Sequence, residues 1–177
     1  MRFWKPKLLI SLVSSPHTEM RTYITLCGRR SWALVNSLWA SIEDHDYLPE
    51  KLIILHHARL KEDAHECSGP AEELLRSYGV EPEVSVHVVP ETDFINRVAE
   101  KVAEIIKEEK KKGNEVALDI TPARKALALP AYTSALNHGA DHVFYLFLRD
   151  LRHANRPYPM IPYFLHDWRD FVRKGDD

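Results

Sequence analysis

Short apolar runs recur along this chain, spaced so that each pair leaves room for a helix. The runs "LLISLV" (8–13), "KLIILHH" (51–57), "EVSVHVV" (83–89), "EVALDI" (115–120) and "HVFYLFL" (142–148) read as strands, and "PMIPYF" (159–164) as a sixth. The first four are mostly continuous in apolar character rather than alternating. That is the pattern of strands covered on both faces, as in a parallel sheet. Parallel neighbours must be joined by a crossover, and helical patterns fill the gaps.

The clearest of these is "DFINRVAEKVAEIIKEEKKKG", with Phe94, Ile95, Val98, Val102, Ile105 and Ile106 on one stripe. Thr92 or Asp93 is a cap for its start, and Gly113 suits the left-handed position after its end. A longer helical region is expected over about 18–43, with Trp32, Val35, Leu38 and Trp39 as core contacts and Gly28 as a break or kink. "SGPAEELLRSYG" reads as a short helix between Ser68 and Gly79. The alternation predicts an α/β fold: an open, mostly parallel six-stranded sheet with helices on both faces. The 177 residues suffice for a single domain, 1–177, and are short for two.

Composition narrows the function classes. The formal net charge of -2 disfavours a protein that coats long nucleic acid by bulk positive charge. It leaves open a small anion in a local basic pocket. Cys27 and Cys67 lack CxxC or zinc-type spacing and read as thiols in a reducing cytoplasm. In "MRFWKPKLLISLVSSP" the apolar run is too short for a signal peptide, and nothing approaches the ~20 apolar residues of a membrane span. No membrane association is expected.

Ligands of open α/β sheets bind beyond the carboxyl ends of the strands. Two strand-to-helix junctions carry polar chemistry there. In "SLVSSPHTEMR", Ser14 and Ser15 follow the first run, and Pro16 fits the first position of a helix. Ser15 is either only a helix cap or part of a phosphate-binding helix start, with His17 beside it. No GxGxxG or GxxxxGK[ST] occurs, which disfavours a conventional NAD enzyme or NTPase. In "LDITPARKAL", Asp119 and Thr121 end a strand, Pro122 enforces a turn, and Arg124 and Lys125 fall in the first helical turn. Cations there are unfavourable by ~0.3–1 kcal/mol through the helix dipole. Either an anionic ligand or a carboxylate such as Asp119 would offset that cost, and physics alone leaves both open.

The run Asp119-x-Thr121-x-Ala123-x-Lys125 after the fourth strand resembles the D-x-T-x-G-x-K motif of the CRISPR-associated Rossmann-fold (CARF) domains. "DHVFYLFLRD" and "PYPMIPYF" are similar to the hairpin-like end of that Rossmann-like fold, and "SLVSSP" to its first ligand loop. Ala123 stands where the family often has Gly, which reduces the loop's backbone freedom. The resemblance implies a homodimer that binds cyclic oligoadenylate across its two-fold axis, with no cofactor and no metal. Ser14, Ser15, Pro16, His17, Asp119, Thr121, Ala123, Arg124 and Lys125 would line that ligand. A small member without an effector domain resembles a ring nuclease. In such an enzyme the ribose 2′-OH attacks its own 3′-phosphate, Lys125 steadies the developing charge, and Ser14 or Ser15 positions the nucleotide. The alternatives are a sensor or sink for the same messenger that does not cleave it, and an unrelated Rossmann-like nucleotide or methyl-donor enzyme. The last would carry an acid at the end of the second strand, where "LHH" stands.

Other clusters have plain readings. "KEEKKK" is the solvated last turn of its helix. His56, His57 and "DAHEC" (63–67) have no metal-ligand spacing. "LRDLRHANRPY", with Arg149, Arg152, His153 and Arg156, is either an exposed basic loop or a mobile flap over an anionic ligand. Trp168 and Phe171 are expected to dock on the body or on a second subunit.

Overall fold

The computed structural model describes residues 19–28, 31–57, 61–90 and 93–172. The element order is β1 (Arg21–Leu26), α1 (Ser31–His45), β2 (Lys51–His57), α2 (Lys61–Ser77), β3 (Glu83–Val89), α3 (Phe94–Lys111), β4 (Glu115–Asp119), α4 (Lys125–Asn137), β5 (His142–Leu148) and β6 (His166–Asp170). Three short 3-10 helices, Leu151–His153, Tyr158–Met160 and Tyr163–Leu165, occupy the connection between β5 and β6. The strands form one six-stranded sheet in the order β3-β2-β1-β4-β5-β6, parallel except for β6, which pairs antiparallel with β5.

β2 to β5 form where their apolar runs predict. β2 and β4 are covered on both faces, whereas β3, at the sheet edge, and β5 are covered in part, with Val88 and Phe147 exposed. On one face, α1 and α2 pack on Tyr23, Leu52, Ile54, Ala117 and Phe144. On the other, α3 and α4 pack on Ile24, Leu26, Ile53, Val116, Leu118 and Val143. Residues of one strand alternate between the two clusters, as the period of 2 requires. α3 ends as expected: Gly113 has φ 82° and its N–H donates to the Lys110 carbonyl. At its start Asp93 is the cap residue, but its side chain makes no capping bond.

Two expectations about the sheet are corrected. Residues 21–26, read as part of a helix over 18–43, form β1, and the helix begins only at Ser31. The run 8–13 lies outside the described residues. The last strand is not 159–164. Pro159 and Pro162 lack the N–H that a ladder needs, and that stretch forms 3-10 turns. The pairing strand is the more polar His166–Asp170. Trp168 on that strand packs against Phe144 at 5.1 Å between centroids, and Phe171 lies 5.8 Å from Tyr132. Both therefore dock on the body. No helix among the described residues is long and apolar enough to cross a membrane.

Candidate ligand site at the switch point of the sheet

The strand order reverses direction between β1 and β4. The chain builds outward from β1 through β2 to β3, then crosses back to β4 on the other side of β1. The helices that follow β1 and β4 lie on opposite faces, so their starts flank a crevice at the carboxyl ends of the two central strands. In this architecture that is where ligands bind. The crevice is formed by the junction after Leu26 and by the turn from Asp119 to Lys125.

These two junctions touch. A Cβ on Gly28 would lie 2.5 Å from the Pro122 carbonyl oxygen, so only glycine allows the backbones to meet this closely. Gly28 is thus a junction residue and not a kink in a helix. In sequence the first junction reads Cys27-Gly28-Arg29-Arg30-Ser31, with the two arginines outside the described residues. The apolar run at 8–13 does not mark this junction. A better signal was "TYIT", rich in β-branched and aromatic residues, followed after Leu26 and Cys27 by Gly28. Ser14, Ser15, Pro16 and His17 lie outside the described residues.

The second junction falls where the sequence places it, and its residues divide into two groups. Asp119 and Thr121 face inward. The Asp119 side chain is fully buried. Its Oδ2 accepts from Thr25 Oγ1 at 3.0 Å and from Ser37 Oγ at 2.6 Å, and its Oδ1 accepts from the Thr121 N–H at 2.8 Å. Burial pushes the Asp119 carboxyl above its usual pKa, against the opposing pull of these donors. The Tyr23 hydroxyl is buried beside this cluster and has no hydrogen-bond partner among the described residues. Burial, then the Asp119 charge, raises its pKa well above the usual value. Thr121 Oγ1 accepts from the Leu146 N–H at 2.9 Å and carries the β4–β5 ladder one step past the end of β4. Asp119 and Thr121 therefore shape the turn.

Arg124 and Lys125 face outward. Arg124 is the cap residue of α4, extended at φ -66° and ψ 147°, with no side-chain capping bond. Lys125 opens the helix, and both side chains are exposed. Among the described residues neither has an ion-pair partner, and the first turn holds no acid. The alternative in which Asp119 pairs with Lys125 is thereby corrected, because the carboxylate is committed to Thr25, Ser37 and Thr121. The Leu127 and Ala128 N–H groups turn back to the Arg124 carbonyl. The earlier N–H groups of the helix are left to point outward, as at any helix start. α1 likewise has no acid in its first turn. Ala123 is half-buried against the core cluster under α3 and α4.

The connection from Arg149 to Leu165 leaves the same edge of the sheet. It is docked on α1 and does not hang free. Tyr158 is buried and donates to Asp44 Oδ2 at 2.5 Å, and Asn36 Nδ2 donates to the Arg156 carbonyl at 2.8 Å. Arg152 is held by Asp150 at 2.7 Å, which keeps that carboxyl at about 2. Among the described residues, no group of three His, Cys, Asp or Glu side chains is placed to hold a metal ion.

No protein-family model matches the chain, and no curated protein matches it. Solved structures do. Enterococcus italicus Csm6 bound to cyclic hexa-2′-fluoro-hexa-dAMP matches with a TM-score of 0.60 at 11% identity, over 86% of this chain and 42% of that one. A type III CRISPR defence DNA nuclease activated by cyclic oligoadenylate matches with a TM-score of 0.55 at 19% identity, over 82% of this chain and 21% of that one. Protein VC1899 from Vibrio cholerae matches with a TM-score of 0.54 at 13% identity, over 71% and 30%. This chain spans less than half the length of each of these proteins. At such identities the likeness is one of fold alone: an open, Rossmann-like α/β sheet shared with part of each of these proteins.

Proposed function

We propose that this protein binds a cyclic oligoadenylate, most simply cyclic tetra-adenylate, at the crevice between the β1–α1 and β4–α4 junctions. The observation that carries the reading is the pair Arg124 and Lys125. These are two adjacent exposed cations at a helix start, without an acid in that turn or a carboxylate partner among the described residues. A phosphate placed there offsets both the dipole penalty and the mutual repulsion. The fold supports the choice of ligand, since two solved proteins that share it are bound to or activated by cyclic oligonucleotides. A ring with rotational symmetry is met most simply by a homodimer whose two-fold axis passes through the ring, each subunit offering the same junctions. The whole of 1–177 acts as one such unit.

The same site suits cleavage as well as binding. A ribose 2′-oxygen attacks the phosphorus of its own 3′-phosphodiester. The P–O5′ bond breaks, a 2′,3′-cyclic phosphate forms, and the 2′-OH proton leaves to solvent as the 5′-oxygen gains one. Lys125 stabilises the charge on the phosphorane, and Arg124 and the helix N–H groups hold the phosphates in line. Ser14 and Ser15 remain candidates for positioning the nucleotide. The reaction as read needs no metal and makes the protein a ring nuclease that removes the messenger. One observation favours binding without turnover. Asp119, the carboxylate of the second junction, is buried and fully engaged, so it is not available as a base.

Incubation with cyclic tetra-adenylate, with and without EDTA, separates these readings. Linear products ending in a cyclic phosphate, unchanged by EDTA, are the expected result. Tight binding of intact ring identifies a sensor or sink. Absence of both binding and turnover removes the proposal.

A further inference from the structure

We infer that Ser37, on α1, is a positioning residue for the ligand edge: it holds Asp119 and, through Asp119, the turn that presents Lys125. The link to Lys125 rests on the ligand reading above, whereas the link from Ser37 to the turn does not.

A serine hydroxyl has one proton to donate. Ser37 Oγ has three acceptors in reach: the Ala33 carbonyl at 2.9 Å, the Leu34 carbonyl at 3.0 Å and Asp119 Oδ2 at 2.6 Å. A mid-helix serine ordinarily spends its proton on the preceding turn of its own helix. Here the closest acceptor is a carboxylate, and a charged acceptor binds more strongly than a neutral carbonyl. The proton therefore bridges α1 to the end of β4. Thr25, on β1, donates to the same oxygen, and the other oxygen takes the Thr121 N–H. Asp119 is fully buried, and no cation among the described residues lies in ion-pair range of it. Its orientation thus depends on these few neutral donors. Beyond Thr121 the chain has little freedom to absorb a shift. Pro122 is buried and backed by Gly28, and α4 begins three residues later. A rotated Asp119 carboxylate would carry Thr121 and the start of α4 with it.

Ser41, one turn along the same helix, provides the control. It too is fully buried, but its hydroxyl meets only backbone carbonyls, with the Leu38 oxygen at 2.7 Å. Amide hydrogen exchange is compared in wild type, Ser37→Ala and Ser41→Ala. The Thr121 amide is expected to exchange about 10-fold faster in Ser37→Ala and at the wild-type rate in Ser41→Ala. Unchanged exchange at Thr121 in Ser37→Ala, or an equal change in both variants, overturns the inference. If Ser37→Ala does not fold, Ser37→Cys keeps the volume with a weaker donor and is scored in the same way. A second arm measures affinity for cyclic tetra-adenylate. Ser37→Ala should lose about 10-fold in the presence of Lys125 and under twofold on a Lys125→Ala background. Equal losses on both backgrounds contradict transmission to Lys125. A wild type that fails to bind the ring sinks the ligand reading, while the exchange measurement still decides the role of Ser37.

Discussion

The two ends of the sheet treat charge in opposite ways. At the amino edge of the parallel strands, charged groups find partners within the fold. Glu109 is buried at the end of α3 and accepts from Thr22, Asn114, Lys51 and Lys112. Burial alone would raise its pKa, but these donors outweigh burial and bring it down to about 2. His142 sits between Asp170 at 2.7 Å and Glu115 at 3.0 Å, and Glu115 also takes Arg21 at 2.8 Å. Lys110 meets Asp141 at 2.8 Å, and Asp141 accepts from the Val116 N–H as well. At the carboxyl edge, Arg124 and Lys125 face solvent without a counter-ion among the described residues. The amino edge uses charge to hold strand starts together. At the carboxyl edge Arg152 is paired with Asp150, but the start of α4 leaves its two cations uncompensated, at a cost of about 0.3–1 kcal/mol per cation. Stability and binding should therefore respond to mutation at different ends of the molecule.

The largest stability effect should come from Glu109→Ala. It leaves Lys51, whose side chain is only 13% exposed, with the exposed Glu83 at 3.3 Å as its remaining partner, and leaves Thr22 and Asn114 without an acceptor. Breaking a buried charged pair from one side costs about 3–5 kcal/mol. Urea unfolding should show that loss, while the folded fraction binds the ring as wild type does. The linkage has a definite sign. The folded pKa is depressed, so the Glu109 contribution is present above its unfolded value near 4.3 and is lost as pH falls toward about 2. A Glu109 variant that stays stable and loses binding would put function at the wrong edge.

Gly28→Ala should come next. Its new methyl would stand 2.5 Å from the Pro122 carbonyl oxygen, a backbone atom that cannot rotate away. A loss of about 1–3 kcal/mol is expected from such overpacking. Unlike Glu109→Ala, this change should also weaken binding, because it separates the two junctions. A variant with wild-type affinity would mean that the junctions act independently.

His142→Gln should cost least, about 1 kcal/mol, because the ring is partly solvated. Its sign is the reverse of the acidic case. Burial lowers the His142 pKa, but the bonds to Asp170 and Glu115 outweigh burial and raise it. The contribution is therefore full below about 6.5 and fades as pH rises through the folded pKa. Thermal melts of both proteins at rising pH should converge. A constant gap would show that the imidazole acts without its charge.

Four strands were legible from apolar runs, β2 and β4 because their side chains meet hydrocarbon on both faces, β3 and β5 because theirs do so in part. β1 was not, and the reason is chemical. Thr22 and Thr25 are fully buried although polar, because Glu109 and Asp119 supply acceptors from roughly 90 residues away. No count of local apolarity registers a partner that distant. The run 8–13 gives a stronger apolar signal, and it and residues 14–17 lie outside the described residues. β6 escaped notice because an edge strand covered only in part can be as polar as "HDWRD". The second junction was readable, since Pro122 and the two cations mark a strand-to-helix turn within a few residues. Which of its residues face inward was not readable, because that depends on Ser37 and Thr25, remote in sequence.

The central claim is that Lys125 is uncompensated within the fold because it serves a ligand. Lys125→Ala, measured for both thermal stability and handling of cyclic tetra-adenylate, tests it most directly. A melting temperature within about 1 °C of wild type is expected, since a first-turn lysine gains nothing from the dipole. Turnover should fall by about 10²–10³, or ~3–4 kcal/mol, the scale for removing one charge-stabilising group at such a site. If the protein only binds, affinity should fall and its salt dependence should flatten. A variant that melts well below wild type, or one that is equally stable and handles the ring unchanged, would contradict the account.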